Sequence, residues 1–164
     1  MFIQPVTGYR KVVTPAFRSQ AENPLLKQSD ITRLDSKLVI GRAPGACRYE
    51  NHQYKINSNI LDKDLQFLKS NYNVDTLIDL RAGHIEGNEI TKEANAAKKA
   101  GMTYLNLQMD GAIAPKPDEL KSFFNTIDKA KGNVYLHCHM GHDRTGVMSA
   151  CYMACLLYTS DAAD

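Results

Sequence analysis

The chain has 164 residues, of which 43% are hydrophobic and 23% charged, and its formal net charge at pH 7 is +2. This length suits one domain built around a single core. Acidic and basic residues are interspersed along the sequence, a pattern that argues against nucleic-acid binding. No stretch approaches the roughly 20 apolar residues of a membrane-spanning helix.

The cysteines and the amino terminus suggest where the protein works. Cys47, Cys138, Cys151 and Cys155 occur without the paired spacings of a disulfide framework. The first residues, MFIQPVTGYRKVV, lack the long apolar run of a secretory signal. These features predict free thiols in a reducing, cytoplasmic setting.

The first part of the chain gives little periodic signal. Residues 1–36 contain Pro5, Pro15 and Pro24 among polar residues without a sustained hydrophobic period, which predicts an irregular amino-terminal arm. The apolar run LVIG at residues 38–41 then predicts an edge strand.

Strand and helix patterns alternate through the rest of the chain. Leu61, Leu65, Leu68 and Tyr72 recur at helical spacing, and Ser58 or Asn59 is expected to cap that helix. The later segments are predicted, in order, as strand VDTLIDL, helix EITKEANAAKKA ending near Gly101, strand MTYLNL, a helix beginning at Pro117, strand NVYLH and helix GVMSACYMA. This alternation predicts an α/β fold with a mainly parallel central sheet and helices on both faces.

Residues 137–146 read HCHMGHDRTG and carry the clearest chemical signal. Backbone N–H groups that lead into a helix amino terminus can surround one phosphate, and the planar guanidinium of Arg144 can bind two of its oxygens. The same positive field favours the thiolate of Cys138, which is the nucleophilic form of cysteine. The predicted phosphate-binding loop comprises His139, Met140, Gly141, His142, Asp143 and Arg144.

The pattern Cys-x5-Arg-Thr-Gly, with a histidine before the cysteine, resembles the protein tyrosine and dual-specificity phosphatase superfamily. The resemblance extends from LVIGRAP near residue 38 to about residue 154, and LIDLR at 77–81 is similar to bacterial dual-specificity-like members. It implies a dual-specificity-phosphatase-like fold in which Cys138 is the nucleophile and Arg144 binds phosphate. It also implies that Thr145 helps the thiolate leave during hydrolysis, and that His137 and Gly146 support the loop.

A proton donor is needed because an unprotonated leaving oxygen departs slowly. Asp110 follows the MTYLNL strand in a loop, where the family has its general acid, and Asp118 is the alternative. Arg81 and His84, in the loop after LIDLR, are expected to border the substrate mouth. This scheme requires no metal and no cofactor.

Other readings of the loop stay open. His137, Cys138, His139 and His142 are residue types that bind zinc. Sulfur transferases and arsenate reductases also place a cysteine in an anion-binding loop, and Cys138 could simply be a buried thiol. A module that captures phosphorylated partners without turnover is a further alternative.

The expected substrates are proteins that carry phosphotyrosine. Proteins that carry phosphoserine or phosphothreonine are a further expected class. A phosphoinositide or inositol phosphate is the alternative, since Asp-Arg-Thr-Gly resembles both kinds of member. Residues 37–154 are predicted to form the catalytic domain, truncated at its carboxyl terminus. The last ten residues, CLLYTSDAAD, resemble translated sequencing-adapter read-through, so 155–164 is predicted to be an artefactual tail.

Overall fold

A computed structural model of the chain describes residues 26–45, 48–50 and 53–161. The described elements are, in chain order, β1 (Ile31–Arg33), β2 (Leu38–Gly41), β3 (Arg48–Glu50), β4 (Gln53–Lys55), α1 (Ser58–Tyr72), β5 (Val74–Asp79), α2 (Gly83–Lys99), β6 (Thr103–Asn106), α3 (Pro117–Lys129), β7 (Asn133–His137) and α4 (Asp143–Asp161). Residues 1–25 of the predicted arm, and the predicted free thiol of Cys47, lie outside this description. None of the described helices combines the length and the apolar character needed to cross a membrane.

Five of the strands form one sheet in the order β1-β2-β7-β5-β6, and β3 pairs with β4 in a separate hairpin. Strands β2, β7, β5 and β6 run parallel, and β1 is antiparallel to β2. This arrangement confirms the predicted α/β fold with a mainly parallel sheet. Parallel strands bring their carboxyl ends to one edge of the sheet, where such folds bind ligands.

The prediction that LVIG forms an edge strand is wrong. Ile31 to Arg33 pairs with Gly41 to Val39, so β1 is the outer strand and β2 lies between β1 and β7. Residues 31–33 also belong to the sheet although they fall within the predicted irregular arm. Three residues are too few to display a strand period in the sequence, and the pairing with β2 fixes their conformation.

Two apolar layers enclose the sheet. Helices α1 and α2 contribute Leu61, Leu65, Leu68 and Ala97 to one core cluster, which contains Tyr135 of β7. Helices α3 and α4 contribute Phe123, Ile127, Met148 and Tyr152 to the other, which contains Val134 and Leu136. Side chains of β7 therefore alternate between the two layers, as expected for a strand covered on both faces.

The helix ends follow local chemistry. Asn57, and not Ser58 or Asn59, caps α1: its side chain accepts hydrogen bonds from the amides of Asn59 and Ile60 at 3.1 and 3.3 Å. Helix α3 begins at Pro117, as predicted. Helix α4 continues to Asp161 and so includes the first seven residues of the predicted tail.

Candidate active site

The loops after β5, β6 and β7 meet at the carboxyl edge of the sheet. The amide of Leu80 donates to the carbonyl of His137 at 2.9 Å, and the amide of Leu107 donates to the carbonyl of Asp79 at 2.9 Å. The segments predicted to contain the chemistry therefore adjoin one another.

The cysteine loop leaves β7 and enters α4 within a few residues. Cys138 follows β7 directly and is 3% exposed. Gly141 has a φ of 77°, and a Cβ there would approach the amide nitrogen of Arg42 to 2.7 Å and collide with the Gly41 carbonyl. The amide of Gly146 donates to the carbonyl of His142 at 2.7 Å, closing the first turn of the helix. The loop is thus packed directly on the end of β2.

The surroundings of Cys138 favour its ionised form. Burial raises the pKa of the thiol, but the Thr145 hydroxyl, the amides of Thr145 and Gly141, and the charge of Arg144 together bring it below the ordinary value for cysteine. Thr145 is fully buried beside the sulfur. Hydrogen-bond donors and a cation thus converge on the thiol, as a reactive thiolate requires.

Arg144 lies in the first turn of α4 and is half-buried. Its Nη1 donates to the carbonyl of Leu80 at 3.3 Å, so the guanidinium reaches from α4 across to the end of β5. A positive charge is thereby held at the helix amino terminus, where the backbone also attracts anions.

The other loop residues face outward to different degrees. Met140 is 58% exposed, His142 and Asp143 are exposed, and His139 is half-buried. Burial and the charges of Arg81, Arg144 and His137 lower the pKa of His139 to about 4. His139 is therefore neutral at pH 7.

A groove of about 450 Å³ runs along the outer side of the loop. Its lining includes Asp30, Ile40, Arg42, Met140 and His142. Arg42 forms an ion pair with Asp30 at 3.6 Å. The groove offers apolar and charged side chains beside the predicted phosphate site.

Asp110 is exposed in the loop after β6, and its Oδ1 accepts the amide hydrogen of Ala112 at 2.9 Å. A Cβ on the next residue, Gly111, would lie 3.9 Å from Cδ of Arg144, so this loop reaches the cysteine loop. Asp118, the alternative acid, is exposed in the first turn of α3. An acidic residue there is accounted for by the helix dipole.

Arg81 does not border an open mouth as predicted, because its side chain is fully buried. Its guanidinium contacts both carboxylate oxygens of Asp79, with Nη2 2.8 Å from Oδ2, and it also pairs with Glu93. The hydroxyl of Tyr104 donates to the same Asp79 oxygen at 2.5 Å. His84 lies in α2, and its side chain is outside the described part of the structure.

His137 lies beneath the cysteine loop and is also fully buried. Its Nδ1 lies 3.0 Å from the carbonyl oxygen of Cys138, and its Nε2 lies 2.8 Å from Oε1 of Glu93. Burial lowers the pKa of His137, but Glu93 and Asp79 raise it above the ordinary value. The predicted supporting residue therefore belongs to a buried charge cluster, which we define as Asp79, Arg81, Glu93 and His137.

Glu93 and Asp79 were missed in the sequence. A signal for Glu93 was available, since Glu89, Glu93 and Ala97 are spaced four residues apart on α2 and all three are buried. A carboxylate on the apolar stripe of a helix needs a charged partner inside the protein.

Asp79, Glu93 and His137 are residue types that can bind a metal, and their ligand atoms lie within 4.8 Å of one another. In this structure the guanidinium of Arg81 contacts both carboxylates and supplies the positive charge between them. We therefore assign no metal ligand there. Among the described residues, the four proposed zinc ligands at 137, 138, 139 and 142 do not form such a group.

Residues 52–156 match the model of a family described as "Polymorphic toxin system, DSP-PTPase phosphatase". The tyrosine-protein phosphatase cdc-14 of Caenorhabditis elegans is 30% identical over 80 residues, which are 49% of this chain and 10% of that protein. The chain thus matches about a tenth of the length of this curated relative.

Solved structures share the fold. The kinase-associated phosphatase KAP, with its catalytic-site cysteine replaced by serine, superimposes with a TM-score of 0.55 at 18% identity, covering 76% of this chain and 66% of that one. TpbA of P. aeruginosa gives a TM-score of 0.53 at 19% identity, covering 82% and 70%. A second TpbA structure, of a cysteine-to-serine variant in complex with pTyr, gives 0.53 at 18% identity.

Proposed function

The chain belongs to the DSP-PTPase phosphatase family of polymorphic toxin systems, and from this premise we propose that it hydrolyses phosphomonoesters through a covalent phosphocysteine intermediate. The observation that carries the proposal is the environment of Cys138. A hydroxyl, two backbone amides and a guanidinium all favour the thiolate of this residue.

In the first step, the Cys138 thiolate attacks phosphorus and forms a P–S bond while the P–O bond to the leaving group breaks. Arg144 and the loop amides stabilise the negative oxygens of the transferring phosphoryl group. Asp110 donates its proton to the leaving oxygen, so the alcohol or phenol departs neutral. The location of the Asp110 loop beside Arg144 supports this role.

In the second step, water attacks the phosphorus of phosphocysteine. The carboxylate of Asp110 takes a proton from the water, the P–S bond breaks, and inorganic phosphate leaves. Thr145 stabilises the departing thiolate, a role supported by its buried hydroxyl, which lowers the pKa of Cys138. His139, Met140, Gly141, His142 and Asp143 complete the loop around the phosphate, and Gly146 continues it into α4.

The proposed substrates are proteins that carry phosphotyrosine, phosphoserine or phosphothreonine. The groove beside the loop, with exposed Met140 next to Arg42 and Asp30, suits a side chain and its flanking peptide better than a free inorganic ion. The pTyr named in the TpbA complex is in line with this choice. A phosphoinositide or inositol phosphate is the competing substrate class.

The low pKa of the Cys138 thiol also favours a reducing cellular compartment, because oxidants attack the thiolate form of cysteine. Among the described residues, Cys138 and Cys151 are free thiols. We therefore propose a reducing setting such as the cytoplasm, and residues 37–154 as the catalytic unit.

The test is hydrolysis of an aryl phosphate in chelator and thiol reductant by the wild type and by Cys138→Ser. Turnover is expected in the wild type and is expected to disappear in the variant. Vanadate binding should persist in the variant, because Arg144 and the loop amides remain. Circular dichroism checks that both proteins fold.

Two results would contradict the proposal. Substantial turnover by Cys138→Ser would remove the cysteine from its role. A folded wild type that binds vanadate without turnover would instead indicate a module that captures phosphorylated partners.

A further inference from the structure

The buried charge cluster beneath the cysteine loop contains two carboxylates, from Asp79 and Glu93, and two basic side chains, from Arg81 and His137. All four side chains are fully buried. Strand β5, the loop after it, helix α2 and strand β7 each contribute one member. Ionised groups in such a position are retained only when they compensate one another.

The two ring nitrogens of His137 both face oxygen atoms. Nδ1 lies 3.0 Å from the Cys138 carbonyl oxygen, and Nε2 lies 2.8 Å from Oε1 of Glu93. Nδ1 can donate a hydrogen bond to the Cys138 carbonyl, whereas the contact of Nε2 with Glu93 is a close ion pair whose geometry is not that of a hydrogen bond. Both oxygens are acceptors, so a nitrogen without a proton would place its lone pair beside a negative oxygen. A neutral imidazole has one proton and would leave one contact repulsive. The contacts are therefore those of an imidazolium ion.

The remaining neighbours of His137 agree with this charge. Asp79 Oδ1 on β5 lies 3.9 Å from Nδ1. Tyr135, two residues earlier on β7, has its ring 5.7 Å away, and Tyr104 of β6 reaches the cluster through Asp79. Arg81 opposes the charge of His137, but both carboxylates contact its guanidinium. His139 is neutral at pH 7 and adds no opposing charge.

We propose that Glu93 is a positioning residue for the reaction: it holds His137 as an imidazolium, which fixes the Cys138 carbonyl and places a buried positive charge beside the nucleophile. The Glu93–His137 pair has a definite direction. The imidazolium ring contacts the Cys138 carbonyl through Nδ1, and the Glu93 carboxylate contacts Nε2 on the other side of the ring, away from Cys138. This inference rests on the proposed role of Cys138 as the nucleophile.

Glu93→Gln tests the proposal because it keeps the side-chain shape and removes the charge. Loss of the imidazolium next to the thiol should raise the pH midpoint for alkylation of Cys138 by iodoacetamide by about half to one unit. The acidic limb of the pH profile for kcat/KM should shift with it. Alkylation is followed at the peptide containing Cys138, so the other cysteines do not contribute.

The direction in which the alkylation midpoint of Cys138 shifts is the diagnostic result. If His137 kept its charge without Glu93, removal of a negative charge would lower the alkylation midpoint. A lowered or unchanged midpoint in folded Glu93→Gln would therefore overturn the proposal. Because alkylation reads the thiol and not turnover, this result is independent of whether the protein hydrolyses phosphate.

Glu89→Gln is the matched control. Glu89 is buried on the same helix one turn earlier, 3.2 Å from Nζ of Lys92, and it lies outside the buried charge cluster. Its substitution should leave the Cys138 midpoint unchanged. A shift equal to that of Glu93→Gln would mean that any carboxylate on α2 acts on the thiol, which would also overturn the proposal.

A measurement on the wild type covers the case in which Glu93→Gln does not fold. Long-range ¹H–¹⁵N spectra of histidine-labelled protein distinguish an imidazolium ring from either neutral tautomer. His137 should have both nitrogens protonated at pH 7. A neutral His137 ring at that pH would overturn the proposal.

Discussion

Asp110 and Asp118 are both exposed carboxylates near the carboxyl edge of the sheet, but their loops differ in what they contact. The residue after Asp110 approaches Arg144, whereas Asp118 begins helix α3 behind Pro117. A general acid has to reach the leaving oxygen of a phosphate bound at Arg144, so proximity to that side chain separates the two candidates.

Asp110→Asn should slow the hydrolysis of substrates with poor leaving groups by about a hundredfold or more. Hydrolysis of an activated aryl phosphate should fall much less, because its leaving group departs without a proton. The measurement is kcat for phenyl phosphate and for a fluorinated umbelliferyl phosphate.

Asp118→Asn provides the control for this prediction, since it removes a neighbouring carboxylate from a helix start. It should leave both rates nearly unchanged. Equal slowing of both substrates by Asp110→Asn, or a selective loss in Asp118→Asn, would reassign the acid.

At the scale of elements, the cysteine loop depends on β2 as much as on β7. The amide of Ala43 donates to the carbonyl of His139 at 3.0 Å, and Gly141 lies against the backbone of Gly41 and Arg42. The hydroxyl of Tyr135 donates to the Arg42 carbonyl at 2.8 Å, and this hydrogen bond holds the end of β2 in place. Two parallel strands therefore shape the loop together.

Gly141→Ala should reduce kcat/KM at least tenfold, because a Cβ would force the loop away from β2 and φ is positive there. The left-handed conformation alone costs a non-glycine residue about 1–2 kcal/mol. The measurement is steady-state hydrolysis together with vanadate affinity, and both should weaken. Full activity in this variant would show that the loop does not need its contact with β2.

Gly87→Ala is the matched glycine substitution, in the interior of α2, where a Cβ meets no atom within 4 Å. Alanine should stabilise the helix by about 0.5–1 kcal/mol and leave activity unchanged. Urea denaturation measures this change. A loss of stability would contradict the open environment of Gly87.

The elements that the sequence predicted well have local signals. The period of α1, the proline at the start of α3 and the apolar strand NVYLH before Cys138 are all properties of neighbouring residues. Strand β1 and the burial of Arg81 depend on partners outside their own segments, namely β2 and Glu93. The spacing on α2 indicates that Glu93 is buried, but a single sequence does not show that Arg81 and His137 are its partners. The cysteine loop was therefore predictable, and the pairing within its supporting cluster was not.

At the scale of the whole molecule, the histidines of the loop region make stability depend on pH. The pKa of His139 is about 4 in the folded protein, against an ordinary value of 6.5. Between pH 6.5 and 4, His139 therefore binds a proton in the unfolded chain but not in the folded protein. The free energy of unfolding decreases as pH falls through this range. His137 has the opposite effect on stability because its pKa is raised in the folded protein. Its contribution to the free energy of unfolding is complete below pH 6.5 and is lost as pH rises through the pKa of the folded protein.

His139→Gln should flatten the decline in the free energy of unfolding between pH 6.5 and 4. One proton changes this slope by at most about 1.4 kcal/mol per pH unit, and partial exposure of His139 reduces the effect. Urea denaturation at several pH values gives the slope. His142→Gln, which changes an exposed histidine of the same loop, should keep the wild-type slope; if both variants behave alike, His139 is not the source.

The buried charge cluster has a consequence for how activity is acquired. Its members come from β5, the loop after it, α2 and β7, so the environment of the thiol is complete only when those elements have docked. A chain that has formed the cysteine loop but not the contact between α2 and the sheet would lack Glu93 beside His137, and its thiol would be less acidic than that of the folded protein. Cys138 should therefore reach its full reactivity only when α2 has docked on the sheet, and partly folded chains should react more slowly.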